Sequence, residues 1–282
     1  GSYDTHEWDG TPNPLYEAWD ALAMGQSVGV KSCTSGGKTY SAAPIAYWWL
    51  DVYQGNATVV LVGPSAQQLK DTLGQEIKRQ FPKFARMHKT AEWQDSVRVI
   101  CDGADFEASK WMLYAKSKGV KKAGETTNKG LQGIHGENLL FIIDEGAGIE
   151  QSVLKSIQNT VTGTNNLILM LGNPDSQIDP LHQFCIQNHV KEVRISALDH
   201  PNVVLGKEII PGAVTRGSIA KRAGRATPDY PRGIYYDTPL FQSRVRGITP
   251  DQSADSLIQL KWVEEALRQG QSGAKTETNP LG

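Results

Sequence analysis

Short apolar runs alternate along this chain with longer amphipathic stretches, and the alternation predicts its elements. "PLYEAWDALAM" (14–24) carries apolar residues at helical spacing. "QSVGVKS" is a short strand running into a glycine-rich loop. "TYSAAPIAYWWLDVY" follows as a helix, with Pro44 either kinking it or sitting in its first turns. "ATVVLVGPS" (57–65) is a buried strand closed by a turn, and "AQQLKDTLGQEIKRQF" is an amphipathic helix. "SVRVIC", with period-2 alternation, and "WMLYAK" are two further strands. "NLLFIIDEG" and "NLILMLGNP" are continuous apolar strands, the first ending in two carboxylates and the second in a polar turn. "KEVRIS" is the last strand of the sheet.

Strands that are apolar throughout and alternate with helices are buried on both faces. The expected fold class is therefore α/β: a mostly parallel sheet with helices on both sides. No internal repeat is visible. From about residue 211 the strand pattern gives way to Arg, Gly and Pro. The expected organisation is a compact core over 1–210 and a small subdomain over 211–270, which includes the amphipathic helix "SLIQLKWVEEALRQ". A polar, mobile tail over 271–282 completes it.

Composition narrows the classes. The 282 residues are 39% apolar and 21% charged, an ordinary globular balance able to bury a sizeable core. The net charge of −1 gives no global field for nucleic acid or membrane, so any such binding rests on a local patch. Three scattered cysteines (Cys33, Cys101, Cys185) make no disulfide framework and suit a reducing cytoplasm. No apolar run has the length of a membrane span, and Gly1-Ser2 has the look of a tag-cleavage scar.

The candidate chemistry begins at "SCTSGGKT". In the pattern G-x-x-x-x-G-K-[ST], backbone amides cradle phosphates, the Lys reaches the terminal ones and the hydroxyl holds magnesium. Ser32, Gly37, Lys38 and Thr39 fill those positions here, with Cys33, Thr34, Ser35 and an extra Gly36 between. Strand before and helix after are the right context for an anion. Alone, the stretch is either a phosphate loop or a glycine-rich turn followed by a surface Lys.

"LLFIIDEG" weighs for the first. Five apolar residues, then Asp144 and Glu145, put two carboxylates at the carboxyl end of a buried strand, where open α/β sheets bind ligands. Asp144 would hold magnesium and Glu145 would polarise an attacking water. Otherwise the two acids merely cap the next helix. "LILMLGNPD" is the third piece. Asn173, at the end of its strand, would sense a γ-phosphate if that strand lies between the other two, and is otherwise part of a simple turn.

Taken together, these pieces resemble the ATPase part of a large terminase, the DNA-packaging motor of tailed bacteriophages. The resemblance rests on "SCTSGGKT" as a deviant Walker A motif and "LQGIHGENLLFIIDEGAGIE" as Walker B with its catalytic Glu. "LGNP" stands as the coupling motif, followed by "ISALDHPNV", "IIPGAVTR" and "RVRGITP", and together they span most of 27–250. It implies an ASCE-type P-loop ATPase with ATP and Mg2+ that moves double-stranded DNA into a procapsid. It also implies a homo-oligomeric ring on the portal, a small terminase subunit as partner, no membrane, and a place in the host cytoplasm. The family's C-terminal nuclease is not legible in the tail, so an isolated ATPase domain without nuclease activity is expected. Many relatives carry a basic residue inside the phosphate loop. Here Lys31, just before the loop, either substitutes for it or packs on the strand. No Gln stands at the upstream adenine-contacting position, where "PLYEAWDALA" offers Tyr16, Glu17 and Trp19.

Two local basic stretches remain. The first, 110–130, contains the Lys-rich "SKGVKKAGETTNKG", either a solvated loop or a salt-sensitive contact to phosphate backbone. The second, 216–246, is rich in Arg, and Arg244 and Arg246 are the leading candidates for a finger that stabilises a transferring phosphoryl group, in cis or from a neighbour. The six histidines have no zinc-ligand spacing, leaving magnesium as the expected metal. The rival readings are a helicase-like ATPase, for whose second motor sheet the chain has no room, and a non-hydrolysing nucleotide- or DNA-binding module. Glu145 speaks against the latter.

Overall fold

The structure, a computed structural model, describes residues 14–54, 56–94, 97–102, 110–117, 134–251 and 266–268, with backbone alone at 101–102 and 110–117. The Lys-rich stretch from 118, most of the helix expected at 255–268, the polar tail and the first thirteen residues lie outside the described residues.

A single eight-stranded sheet organises the chain. Helix α1 (Pro14–Ala23) leads into β1 (Ser27–Ser32), and α2 (Lys38–Val52) follows the glycine-rich loop. β2 (Ala57–Gly63) precedes α3 (Ala66–Leu69), a π-helical turn (Lys70–Gly74) and α4 (Gln75–Met87). Then come β3 (Glu92–Gln94), β4 (Arg98–Asp102), β5 (Lys110–Ser117) and β6 (Asn138–Ile143). α5 (Gln151–Thr160), β7 (Asn165–Gly172), α6 (Pro180–Cys185) and β8 (Val190–Ile195) complete the alternation. Short helices α7 (Pro201–Val204), α8 (Arg216–Ala223) and α9 (Pro239–Arg244) end the described core.

The strand order is β3-β4-β5-β2-β6-β7-β1-β8. The six strands from β5 to β8 pair in parallel, and β3 and β4 add an antiparallel edge. The fully apolar strands behave as their composition requires. In β6, Leu140 and Ile142 enter one core cluster, with α1, α2 and α4. Leu139, Phe141 and Ile143 enter the other, with α5 and α6. Period-2 alternation thus sends successive side chains into two cores, and no polar face is left on the strand.

Three local features depart from the simple reading of the pattern. Pro44 lies inside α2 without ending it. Its missing N–H strands the Tyr40 carbonyl, and Gln80 of α4 donates Nε2 to that oxygen at 3.2 Å. The helix expected at 66–81 is interrupted by the π turn and runs on through Pro82 to Met87. The strand β3 was absent from the expected elements, because three residues with no alternation pattern carry too little signal.

The chain after β8 does not form a core of its own. Val214, Ile219, Ala223, Phe241 and Val245 are buried in the same cluster as β1 and α2. Two backbone bonds fasten α9 beside the loop: Thr34 N to Arg244 O at 2.9 Å, and Ala197 N to Val245 O at 2.8 Å.

Candidate active site

Because β7 lies between β6 and β1, the carboxyl ends of these three strands bring Asp144-Glu145, Asn173 and the glycine-rich loop to one edge of the sheet. That placement follows from topology, since parallel strands all end on the same side.

The loop explains its own composition. Ser32 is the last residue of β1, paired with Ile195 of β8, so the first motif position is extended and needs no glycine. The left-handed backbone falls on Ser35 (φ 58°) and on Gly37 (φ 84°), the N-cap of α2. Gly36 is required by space: a Cβ there would lie 2.7 Å from the Cys33 sulfur. The amide of Cys33 is spent on Ile195 O at 2.8 Å and that of Thr34 on Arg244 O. Residues 35–39 instead line a cavity of about 460 Å³, which Cys33 and Thr34 do not reach. Burial pushes the Cys33 thiol up to about 11, against the lowering effect of Lys38, so it stays neutral beside the loop.

Lys38 is nearly buried, and its Nζ lies 3.4 Å from Glu145 Oε1. Glu145 is one of three non-glycine residues with positive φ (52°) among the described residues. Such a conformation costs energy and is found where a side chain must be aimed. Asp144 is 2% exposed and accepts from Glu145 N at 3.1 Å and from Thr72 Oγ1 at 3.3 Å. Burial, then the neighbouring Glu145, raises its pKa above the ordinary carboxylate value. Thr72 sits in the π turn, whose widened geometry carries its hydroxyl to the strand end.

Asn173 is buried. Its Nδ2 donates to the Ser32 carbonyl, and its Oδ1 accepts from Arg244 Nη1 at 3.1 Å. Arg244 also reaches Asp175 Oδ1 at 2.9 Å. The structure therefore brings Arg244 to the site within one chain. Arg246 lies instead 4.0 Å from Asp237. Lys31 turns to the other side of β1, bonded to Glu192 Oε2 at 2.8 Å and His182 Nδ1 at 3.1 Å, and supplies no charge to the loop. Trp19 packs on Trp48 with ring centroids 5.9 Å apart. With the half-exposed Tyr16 it lines a separate apolar groove.

The oxygens of Thr39, Asp144 and Glu145 form a hard donor set, and a buried carboxylate whose charge burial disfavours is suited to a cation. Among the described residues no group of three or more His, Cys, Asp or Glu could hold a metal ion unaided. Magnesium, which keeps water and takes phosphate oxygens as ligands, needs no such cage. Sequence reasoning missed Thr72, Asp175 and Tyr40. None stands in a spacing pattern, and each reaches the site only through the packing of α2, the π turn or the turn after β7.

No family model matches the chain. It is 26% identical over 259 residues to a probable terminase large subunit of Enterobacteria phage P7, an alignment covering 89% of this chain and 46% of that protein. The chain thus spans about half the length of that relative. Its fold matches a mutant of the large terminase ATPase domain of Thermus phage P74-26 (TM-score 0.61, 14% identity, 85% of this chain and 95% of that one). It also matches the large terminase of another thermophilic bacteriophage in complex with ADP (TM-score 0.55, 12% identity, 82% and 50%). The chain has the fold of these ATPase domains: a P-loop, ASCE-type, mostly parallel sheet with helices on both faces. The resemblance noted in the sequence is borne out.

Proposed function

We propose that this chain hydrolyses ATP and couples the hydrolysis to moving double-stranded DNA into a viral procapsid, as the ATPase part of a large terminase. One observation carries the hydrolytic reading. At the edge shared by β1, β6 and β7, Lys38 of the loop meets a left-handed Glu145 at 3.4 Å, beside a buried Asp144. A site that only bound nucleotide would have no use for a carboxylate aimed in this way.

The residues divide the work. Amides of 35–39 and the Lys38 ammonium bind the phosphates, and the incoming charge draws Lys38 away from Glu145. Thr39 and Asp144 would hold magnesium, which neutralises charge on the β- and γ-oxygens. Water attacks the γ-phosphorus while the Glu145 carboxylate takes its proton. The bond to the bridging oxygen breaks, its electron pair leaving with ADP. Asn173 joins the Ser32 carbonyl to Arg244, so a change at the γ-phosphate is felt by α9 and the segment after β8. Arg244 stabilises the transferring group from within the chain.

The packaging reading adds partners: a portal-bearing procapsid, a small terminase subunit, a ring of copies, and a place in the host cytoplasm. Among the described residues no helix is long and apolar enough to cross a membrane. The test is DNA packaging by the intact large subunit with its procapsid, read as nuclease-protected DNA. Protection that needs ATP and is lost in Lys38→Ala supports the reading. Equal protection by that variant refutes it.

A further inference from the structure

The segments "DHPN" and "IIPG" stand out in the sequence, and the hydrolytic steps use neither. The structure joins them. Asn202, 2% exposed, accepts at Oδ1 from Ile209 N (2.8 Å) and Ile210 N (2.9 Å), and donates Nδ2 to Ile210 O at 2.8 Å. His200 Nδ1 accepts from Asn202 N at 3.2 Å. On the far side, Val214 N donates to Ser35 O of the phosphate loop at 3.3 Å. The turn 210–213 is thus pinned at one end to a buried amide and at the other to the loop. Such a wall is built before any ligand arrives.

Facing it is a second wall. Tyr40 follows Thr39 directly, and the Arg79 guanidinium lies over its ring, 5.3 Å from the centroid. Glu76 fixes that guanidinium with bonds of 3.0 and 2.7 Å. Gln80, held to the carbonyl that Pro44 strands, ties Tyr40 to the same helix. Between the walls lies the cavity of about 460 Å³, with 35–39 along one side and Tyr40, Arg79, His200 and 210–213 around the remainder. That is within the usual size of a small-molecule site, and the phosphate loop accounts for only part of its lining.

We propose that the base of the bound nucleotide occupies this cavity, stacked on the Tyr40–Arg79 pair and closed by Ile210 and Pro211. The two unassigned segments serve as its preformed wall. The inference rests on the phosphate-loop reading and deepens it. It also moves the base away from Tyr16 and Trp19, whose groove of about 450 Å³ borders Tyr40 but includes no residue of 35–39. A flat π face meeting an aromatic ring and a guanidinium gains stacking energy without edge-specific hydrogen bonds.

The experiment compares binding of ADP and of inorganic tripolyphosphate to the same protein by calorimetry. Tyr40→Ala should weaken ADP at least about fivefold while leaving tripolyphosphate unchanged, which also shows that the variant is folded. Arg79→Ala, at an exposed position, should act in the same direction, and Tyr16→Ala should change neither ligand. Wild-type ADP affinity in both Tyr40→Ala and Arg79→Ala overturns the assignment, as does a selective loss of ADP binding in Tyr16→Ala. Equal loss of both ligands in Tyr40→Ala and Arg79→Ala also overturns it, marking the pair as structural. Lys38→Ala separates the two levels: unchanged tripolyphosphate binding there refutes the phosphate-loop reading itself.

Discussion

Glu145 is the residue on which the chemistry turns, and its backbone and partner both constrain it. Positive φ and the contact with Lys38 hold the carboxylate at the loop, where a water beside a γ-phosphate would lie. Glu145→Gln keeps the shape and removes the base. Turnover should fall at least about 100-fold, with nucleotide affinity retained, in parallel rate and binding measurements. Asp144 supports an opposite prediction on stability. Its pKa is raised by burial and by Glu145, so its contribution to stability is full below the unfolded value and is lost as pH rises through the folded one. At neutral pH the ligand-free protein carries that cost. Asp144→Asn should therefore raise the thermal midpoint, by about 2–3 °C for each kcal/mol recovered, while abolishing hydrolysis. The loop, the two carboxylates and Asn173 were legible because each ends an apolar strand. Thr72 and Asp175 were not, since a lone Thr in a helix and an Asp after a Gly-Asn-Pro turn have no sequence signature of their role.

Among the elements, the corner after β8 bears the most specific predictions. Asn202→Ala removes three hydrogen bonds at a buried position and should cost about 2–3 kcal/mol, measured by denaturant unfolding. The pH dependence follows from two histidines. Burial lowers the pKa of His200, and burial followed by Lys31 lowers that of His182. Each holds its neutral form in the folded state, so the stability it contributes is present above the unfolded value of 6.5 and is lost as pH falls through the folded one. The thermal midpoint should decline below that pH, and the double variant His182→Gln, His200→Gln should flatten the decline. Helix α2 and the six parallel strands could be read from periodicity alone. The π turn could not, because one extra residue per turn leaves the apolar spacing almost intact. Nor could Gln80 be read as the partner of the carbonyl that Pro44 strands, which depends on how α4 crosses α2.

For the whole molecule, strand order is what turns separate motifs into a site. With β7 inserted between β6 and β1, Asn173 falls between loop and carboxylates, and the chain returning after β8 lays Arg244 against it. An arginine held by its own chain predicts that Arg244→Ala lowers turnover by at least about tenfold even in dilute protein, where neighbours are absent. The sequence could name Arg244 and Arg246 but could not choose between them, since the choice depends on where α9 packs. The most direct measurement is steady-state ATP hydrolysis per chain over a wide range of protein concentration, for the wild type and Glu145→Gln. The account predicts turnover that is independent of concentration and is lost in the variant. Turnover undiminished by Glu145→Gln, or nucleotide binding with no turnover at any concentration, would contradict it.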